Sequence, residues 1–598
     1  MNSHERKELL FSNLDECFTP KDCFADRSLR GKWRAVELET NEYSGKMLYA
    51  VDVGTPTISF SPNLSGWYKI YLHMPGQSLL YVKLTSDPCY MQLRTDTNNT
   101  YVIEEALWRC ADMTGESISL SKYHDATESK SMLSAIKFVP MTDDEVEQYK
   151  RECTSTEHRR IYATDDMHNR LALINQDTVD EWRAVARNYE HSDVEWLAME
   201  STALTVSDNL DEDEIDKYNY PSKHDHHVQK AAKNYNRFEA IRAVADECRK
   251  MGIKSCVSTR MGAWGMLFPY DGLYIDSAFA MAHPEWRTRD RNGDEIRAMS
   301  YAYPEVRKFI IDELVACAEC GVDAVSIMAN RGIPYVLFEK PIADKFYELY
   351  GEYPYNYPID EPRLNAIHCE VMTTFMRELR TALDEKFGKG KIQIHYRSLY
   401  SIYDNKYLGL DIERWAREGL VDVIAAFSTR VHELLDGDVW EDESRQRIDL
   451  EKYTKYVRTR HLVNVYRGQG KNEWVPPMVD FRGNTYGPKD LDERVSQWME
   501  LEKKYGVKLY FEVLTADLSH EEARTRAVNL YNAGANGLSY FDAFDRAVIK
   551  PVWSALRRLG HKDEVATMDL GEGEYYRTLF VLKIGGRDMN RFNPNWGG

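Results

Sequence analysis

Short apolar runs alternate with longer segments of helical periodicity over most of the chain. Each run is bounded by polar residues, which is typical of strands buried on both faces in a parallel sheet. The runs span residues 160–166, 194–201, 253–260, 323–329, 391–397, 421–427, 507–513 and 536–542. Between two of them, Val306, Ile310 and Leu314 recur at helical spacing and predict a helix from Pro304 to Cys320. Eight strands that alternate with helices predict a closed (β/α)8 TIM barrel, an α/β fold.

The pattern is different before residue 150, where apolar and polar residues alternate and turn residues separate the runs. Five such runs cover residues 66–74, 79–87, 100–110, 117–123 and 134–141. Alternation without intervening helices predicts an antiparallel β-sandwich. Trp67, Tyr68, Tyr71 and Trp108 lie in these runs and form either part of the sandwich core or a platform for stacking sugars.

These patterns divide the chain into three parts. Residues 1–150 are predicted as the sandwich domain, residues 151–560 as the barrel domain and residues 561–598 as a C-terminal extension. The extension contains a strand-like run for which the barrel has no position left, so we expect that strand to pack outside the barrel, with the sandwich as a candidate partner. A ninth run at residues 461–467 is assigned to a subdomain after the sixth barrel strand.

Composition limits the partners of such a protein. With 598 residues, of which 43% are hydrophobic, the chain can bury more than one core. Its formal net charge of -19 argues against nucleic acid or an anionic membrane as the main partner, because both favour clustered Lys and Arg. The first residues contain no apolar signal region and no stretch has the length of a membrane span. We therefore expect a cytoplasmic protein, or an exported one whose signal peptide has been removed, and the sequence leaves homo-oligomer formation open.

The sequence predicts neither a metal site nor a cofactor. Cys317 and Cys320 form the only C-x-x-C pair, and they lie inside the predicted helix, where a core role is favoured over zinc. The run from His224 to His227 and the acidic run near Asp211 lack the spacing of a defined metal motif.

Polar residues cluster where the predicted barrel strands end, which is where β/α barrels carry their active sites. The residues predicted to bind substrate there are Asp166, Glu200, Arg260, Arg331, His395, Tyr396 and Asp542. Carboxylates accept hydrogen bonds from hydroxyl groups and aromatic faces cover C–H patches, so this set predicts an oligosaccharide or glycoside ligand. His283 and Trp286, in the loop over residues 261–302, are expected to line the same mouth, with the alternative that Trp286 anchors the loop.

Glu512 is the leading catalytic candidate. It is a lone carboxylate in the apolar run LYFEVL, where burial requires a function or a partner. Cleavage of a glycosidic bond needs two flanking carboxyl groups, and Glu339 in the aromatic loop after strand four is predicted as the second, with Asp166 and Asp542 as competitors. The alternative role for Glu512 is a structural ion pair with a barrel arginine.

Several segments resemble a bacterial family of glycosyl-hydrolase-like (β/α)8 barrel proteins placed near the family-ten-like glycosyl hydrolases. They are HPEWRTRDRNG, SYAYPEVRKFIIDEL, RGIPYVLFEKP, YELYGEYP, GANGLSYFDA, GWYKIYL and NPNWGG. The resemblance covers the whole chain and implies a barrel that acts on glycans. It also implies a nucleophile at Glu512 on strand seven, whereas Arg331 follows Asn330 where the wider clan of retaining barrel glycosidases has a glutamate.

The sequence thus predicts a glycoside hydrolase that uses Glu512 and Glu339 at the barrel mouth. Two alternatives remain open. A glycan-binding barrel without catalysis is compatible with the missing strand-four acid. A lyase acting on uronic acids would use Arg331 to hold the sugar carboxylate and Tyr396 or His395 to carry the proton.

Overall fold

The computed structural model describes residues 7–52, 54–122, 130–165, 179–202, 237–262, 264, 278–293, 295–329, 334–359, 361–399, 401–426, 491–514, 520–541, 546–567 and 575–589. They form an antiparallel N-terminal domain and a closed parallel barrel with surrounding helices. The predicted ninth run at residues 461–467 lies outside the described residues. No helix in the described ranges is long and apolar enough to cross a membrane.

The N-terminal domain consists of two sheets that share one core. Its strands up to residue 140 are β1 (Leu9–Phe11), β2 (Phe24–Ala25), β3 (Trp33–Thr40), β4 (Ser44–Ala50), β5 (Ile58–Phe60), β6 (Trp67–Pro75), β7 (Leu79–Leu84), β8 (Met91–Arg94), β9 (Val102–Asp112), β10 (Ile118–Lys122), β11 (Ser131–Leu133) and β12 (Ala135–Pro140). The small sheet has the order β5-β10-β7-β8, and the other strands belong to the large sheet. Ile70 and Phe138 of the large sheet are fully buried with Leu80 and Ile118 of the small one. Tyr68 and Trp108 belong to the same core, in agreement with the packing role rather than a sugar platform.

The large sheet also contains a strand from far along the chain. Strand β23 (Tyr576–Ile584) lies between β9 and β3, and β24 (Arg587–Asp588) pairs with it. Arg577 on β23 donates to the buried Glu105 at 2.7 Å, and Lys137 also contacts this carboxylate. The C-terminal strand therefore completes the sheet of the first domain.

Eight parallel strands close the barrel, as the alternating pattern predicts. They are β13 (Ile161–Asp165), β14 (Val194–Thr202), β15 (Lys254–Arg260), β18 (Ala324–Met328), β19 (Gln393–Arg397), β20 (Val423–Ala426), β21 (Lys508–Leu514) and β22 (Leu538–Tyr540). Strands β16 (Arg287–Arg289) and β17 (Glu295–Met299) form a separate hairpin after β15. Each of the eight apolar runs contains one barrel strand to within one residue at the strand's carboxyl end, so the predicted fold class is confirmed.

Helices connect the strands and cover the barrel. The α-helices of the described ranges are Leu14–Cys17, Asp143–Thr154, Val179–Arg187, Arg237–Lys250, Ala278–Ala282, Pro304–Ala318, Lys340–Tyr350, Pro362–Phe387, Ile402–Tyr407, Ile412–Arg417, Leu491–Tyr505, His520–Asn532 and Lys550–Leu556. Short 3-10 helices span Lys21–Cys23, Pro284–Trp286 and Pro354–Asn356. The helix predicted from Pro304 starts at that residue and ends two residues early, because the chain turns at Gly321 with φ at +87°. Cys317 and Cys320 are both buried free thiols.

The Asp143–Thr154 helix joins the two domains and begins with a capping box formed by Thr142 and Glu145. Direct contacts also cross between the domains. Arg187 of the barrel domain lies 3.1 Å from Asp87 of the sandwich. The Arg94 amide donates to the carbonyl of Val548 at 2.9 Å.

Candidate active site at the barrel mouth

Alternation along the barrel strands decides which side chains face the interior. An inner cluster, separate from the layer that packs on the helices, contains Tyr162, Trp196 and Tyr510 among other residues. Glu512 lies two residues beyond Tyr510 on β21, and therefore faces the interior one layer closer to the carboxyl end. Arg397 has the corresponding position two residues beyond His395, whose ring lies 4.3 Å from that of Trp196.

Glu512 and Arg397 form a buried ion pair at this level. The Nη2 atom of Arg397 lies 2.6 Å from Oε1 of Glu512, and the side chains are 2% and 0% exposed. Arg397 also donates to Oγ1 of Thr164 at 3.1 Å, and its guanidinium lies 4.5 Å from the ring centroid of Phe541. The arginine is thus held by residues from three other strands or strand ends, and it orients the Glu512 carboxylate.

A second pair lies on two neighbouring strands elsewhere around the barrel wall. Glu200 on β14, two residues beyond the inward-facing Ala198, forms an ion pair with Arg260 on β15. Both are buried. The side chains of Glu512, Arg397, Glu200 and Arg260 therefore all lie at the carboxyl end of the barrel interior.

Tyr396 and His395 occupy other environments. Tyr396 faces the helices, where its hydroxyl donates to Oδ1 of Asn405 at 2.7 Å and its ring meets Trp415. His395 lies beneath Arg397, with Nδ1 3.2 Å from the hydroxyl of Tyr162. Burial holds the pKa of His395 well below its usual range, so the ring is neutral. The substrate-binding role predicted for these two residues gains no support from their positions.

Glu339 is enclosed in the loop layer above the barrel. It is 0% exposed and accepts hydrogen bonds from the Ser300 hydroxyl and from the Leu337 amide at 3.1 Å. Burial raises the pKa of this carboxyl group to about 7. Within the described ranges no hydrogen bond joins it to Glu512, and its contacts fasten the residues before the Lys340–Tyr350 helix to the β16–β17 hairpin.

His283 and Trp286 belong to an aromatic stack. Their ring centroids are 3.9 Å apart, and Trp286 lies 5.5 Å from the ring of Phe279. Phe279 in turn stacks at 4.2 Å on Phe309 of the Pro304–Ala318 helix. This packing supports the anchoring role of Trp286, because the stack ends on a helix and not on the Glu512 pair.

Three predicted site residues, Asp166, Arg331 and Asp542, lie outside the described residues, and so do His224–His227 and Asp211. In the described part of the chain no three His, Cys, Asp or Glu side chains are grouped to hold a metal ion.

Sequence reasoning missed Thr164, and it placed Arg397 at the end of strand five without giving it a role in the site. Both residues contribute to the Glu512 environment. The signal for Arg397 is the series Gln393, His395, Arg397, in which polar residues at every second position mark the inward face of a strand. Thr164 carries no comparable signal.

Chemically, the mouth presents a buried carboxylate whose charge is matched by a guanidinium. Such a group can stabilise a developing positive charge or act as a nucleophile if a substrate reaches it. The neighbouring Glu200 and Arg260 offer acceptors and donors to hydroxyl or carboxylate groups.

No family model matches the sequence, and no curated protein matches it. Solved structures that match this chain include a maltogenic α-amylase from Thermotoga neapolitana, 11% identical over 65% of this chain and 69% of that chain, with a TM-score of 0.31. An α-galactosidase from Thermus thermophilus is 11% identical over 90% of this chain and 97% of that chain, with a TM-score of 0.33. A dihydrodipicolinate synthase from Agrobacterium tumefaciens is 10% identical over 69% and 79%, with a TM-score of 0.28. Similarity at this level carries no information about the function of this chain.

Proposed function

We propose that the protein cleaves a glycosidic bond at the carboxyl end of its barrel and that Glu512 is the nucleophile or base. The observation that carries the proposal is the environment of Glu512. It is a buried carboxylate on the interior face of a barrel strand, near the end where such barrels hold their active sites, and an arginine orients it at 2.6 Å. An oxocarbenium-like transition state requires a carboxylate in such a position.

The second carboxyl group is proposed among Glu339, Asp166 and Asp542. A pKa of about 7 suits a general acid at neutral pH, which favours Glu339, although the loop that encloses it must open before it reaches a substrate. Asp166 directly follows Asp165 at the end of β13, and Asp542 directly follows Phe541, whose ring covers Arg397. We propose that Glu200 and Arg260 contact the substrate.

A glycan-binding barrel without catalysis is the second candidate. The same ion pair supports this candidate. The guanidinium of Arg397 already donates to one oxygen of the Glu512 carboxylate, which leaves that oxygen engaged rather than open to a substrate. A lyase that uses Tyr396 or His395 has no such support, since Tyr396 faces the helices and His395 is enclosed below Arg397.

The test is a glycan-library screen with product analysis, followed by two substitutions at Glu512. Glu512→Asp keeps the charge but withdraws the carboxylate by one methylene, and we expect it to bind substrate and lose roughly 100-fold in turnover, because a displacement of about 1 Å costs that much at a reacting atom. Glu512→Gln should bind and lose nearly all turnover.

The matched control is Glu195→Gln. Glu195 is a barrel glutamate paired with Lys508 at 2.6 Å, but it lies at the amino end of β14. It should retain turnover. Wild-type turnover in Glu512→Asp and Glu512→Gln on a verified substrate would exclude Glu512 as a catalytic residue. Binding of a glycan without any product, by the wild-type protein, would favour the binding barrel.

A further inference from the structure

A cavity of about 510 Å³ lies between the sandwich and the flank of the barrel. Strand β9, the Asp143–Thr154 helix and the Lys550–Leu556 helix contribute to its walls. His158 and Asp193, which also line it, precede β13 and β14. The cavity therefore reaches the amino end of the barrel strands, whereas Glu512 lies toward the carboxyl end. Its size falls within the range of about 300–1,000 Å³ that is common for small-molecule sites.

The lining of this cavity is positively charged in an acidic protein. Six Lys and Arg side chains line it against four Asp and Glu side chains, while the whole chain carries a formal net charge of -19. Most of these groups neutralise one another. Lys69 pairs with Glu145 at 3.0 Å, and Arg558 pairs with Glu152 at 3.0 Å.

The acids deeper in the cavity are also engaged. Glu190 is shared by Arg187 at 3.2 Å and Arg109 at 3.8 Å. Asp193 accepts from the Gly560 amide at 2.9 Å and lies 2.8 Å from Nδ1 of His561. Glu190 and Asp193 therefore pair with these groups. Neither pairs with the two remaining cations of the inner wall.

Those two cations are Lys550 and Arg557. Within the described ranges the Nζ atom of Lys550 has one polar contact, with the carbonyl oxygen of Ala547 at 3.4 Å. Arg557 donates to the carbonyl of His191 at 3.1 Å and lies 5.2 Å from the ring centroid of Tyr575. Among the described residues neither has a carboxylate within 4.0 Å. Burial, reinforced by Arg557 and opposed by Glu190, lowers the pKa of Lys550 to about 7.

The indole rings of Trp108 and Trp553 also belong to the lining of this cavity. The two side chains are 5% and 3% exposed, so the rings add apolar surface to its wall. Their Nε1 atoms are buried and do not face the cavity. The polar groups that distinguish the inner wall are therefore the ammonium of Lys550 and the guanidinium of Arg557.

We propose that this cavity binds a small organic anion, with its carboxylate or phosphate group beside Lys550 and Arg557. The cations supply the charge that an anion requires, and the indole rings add apolar surface beside it. The rim reaches solvent at Arg151 and Glu152, so a ligand can enter from outside. This site is independent of the proposed cleavage at the barrel mouth.

The experiment is calorimetric titration of the full chain at constant ionic strength with inorganic phosphate, with glucuronate and with uncharged glucose. We expect saturable binding of at least one anion and none of glucose. Phosphate and glucuronate distinguish a phosphate ligand from a carboxylate ligand. Absence of saturable binding by both anions at 10 mM, roughly the weakest affinity of interest for a metabolite, would overturn the proposal.

Substitution of Lys550 identifies the cavity as the site. Lys550→Met should weaken anion binding at least tenfold, and its thermal unfolding midpoint should be unchanged or higher because it removes a charge without a carboxylate partner from a half-buried place. Lys562→Met is the matched control, since Lys562 also has one contact with a backbone carbonyl, that of Ala535 at 3.3 Å, but does not line the cavity.

Equal affinity in Lys550→Met and wild type, or equal loss in Lys550→Met and Lys562→Met, would refute the proposed site. Glu512→Asp should bind the anion normally, which separates the fate of this proposal from that of the cleavage reaction.

Discussion

Replacement of Arg397 by methionine tests how much the ion pair at the barrel mouth contributes to stability. The change leaves the Glu512 carboxylate buried without its counter-charge, in a place where its side chain is 0% exposed. Removal of one partner from a buried pair costs about 3–5 kcal/mol, whereas replacement of both partners by apolar groups is often neutral. We therefore expect Arg397→Met to destabilise the barrel and Arg397→Met/Glu512→Leu to recover most of the loss.

The expected loss can be converted into a shift of the unfolding midpoint. The barrel runs from Ile161 to Tyr540, and its roughly 380 residues unfold with an entropy of about 0.8 kcal/mol/K at about 2.1 cal/mol/K per residue. A cost of about 3–5 kcal/mol then lowers the midpoint by about 4–6 °C. Scanning calorimetry at two scan rates measures the shift and detects irreversible unfolding.

A surface pair provides the control for this measurement. Arg377 and Glu418 are 2.8 Å apart, but their side chains are 40% and 27% exposed. Such pairs contribute less than about 1 kcal/mol, so Arg377→Met should lower the midpoint by about 1 °C or less. The reasoning fails if Arg397→Met has no larger effect than Arg377→Met, or if the double variant loses as much as the two single variants together.

Two further predictions concern the loops above the barrel. The pKa of Glu339 is about 7 in the native state, whereas a glutamate in the unfolded chain has its ordinary pKa of 4.5. The protonated group therefore contributes about 3 kcal/mol to stability, and this contribution is complete below about pH 4.5. It is lost as the pH rises through about 7. The free energy of unfolding should therefore differ between pH 5 and pH 8, and Glu339→Gln should remove the contribution of this group to that difference. If the difference is unchanged in Glu339→Gln, the buried placement is contradicted. Trp286→Ala should lower stability by about 2 kcal/mol through loss of the stack on His283 and Phe279, without change in glycan affinity. Trp286→Phe should restore most of the stability, and a weaker glycan affinity in Trp286→Ala would instead assign the ring to the binding site.

The barrel could be predicted from the sequence because each of its strands is marked locally. A run such as residues 421–427 is apolar, short and bounded by polar residues, and the observed strand Val423–Ala426 lies within it. The membership of Tyr576–Ile584 in the first sheet has no such local mark. It depends on pairing with Val102–Asp112, hundreds of residues earlier, and a strand pattern indicates that a partner exists without indicating which one.

Strands before residue 60 were not predicted for a related reason. Several are very short, and Phe24–Ala25 consists of two residues, too few for a period of two to be recognised. Such strands exist because neighbouring strands hold them in register, which is a property of the assembled sheet. The longer strands β3 and β4, which lie inside the large sheet, were not predicted either.

The candidate site was predicted unevenly because one feature, a carboxylate among apolar residues, has two physical outcomes in this protein. Glu339 is satisfied by a hydroxyl and backbone amides, which do not neutralise a charge, and the pKa of its carboxyl group rises to about 7. Glu512 is paired with the guanidinium of Arg397, and this positive charge does neutralise the carboxylate. In the sequence both residues stand in aromatic, apolar runs, so the run alone cannot separate a carboxyl group that retains a proton from a paired carboxylate. The difference arises from Arg397, which the fold brings to Glu512 from another strand.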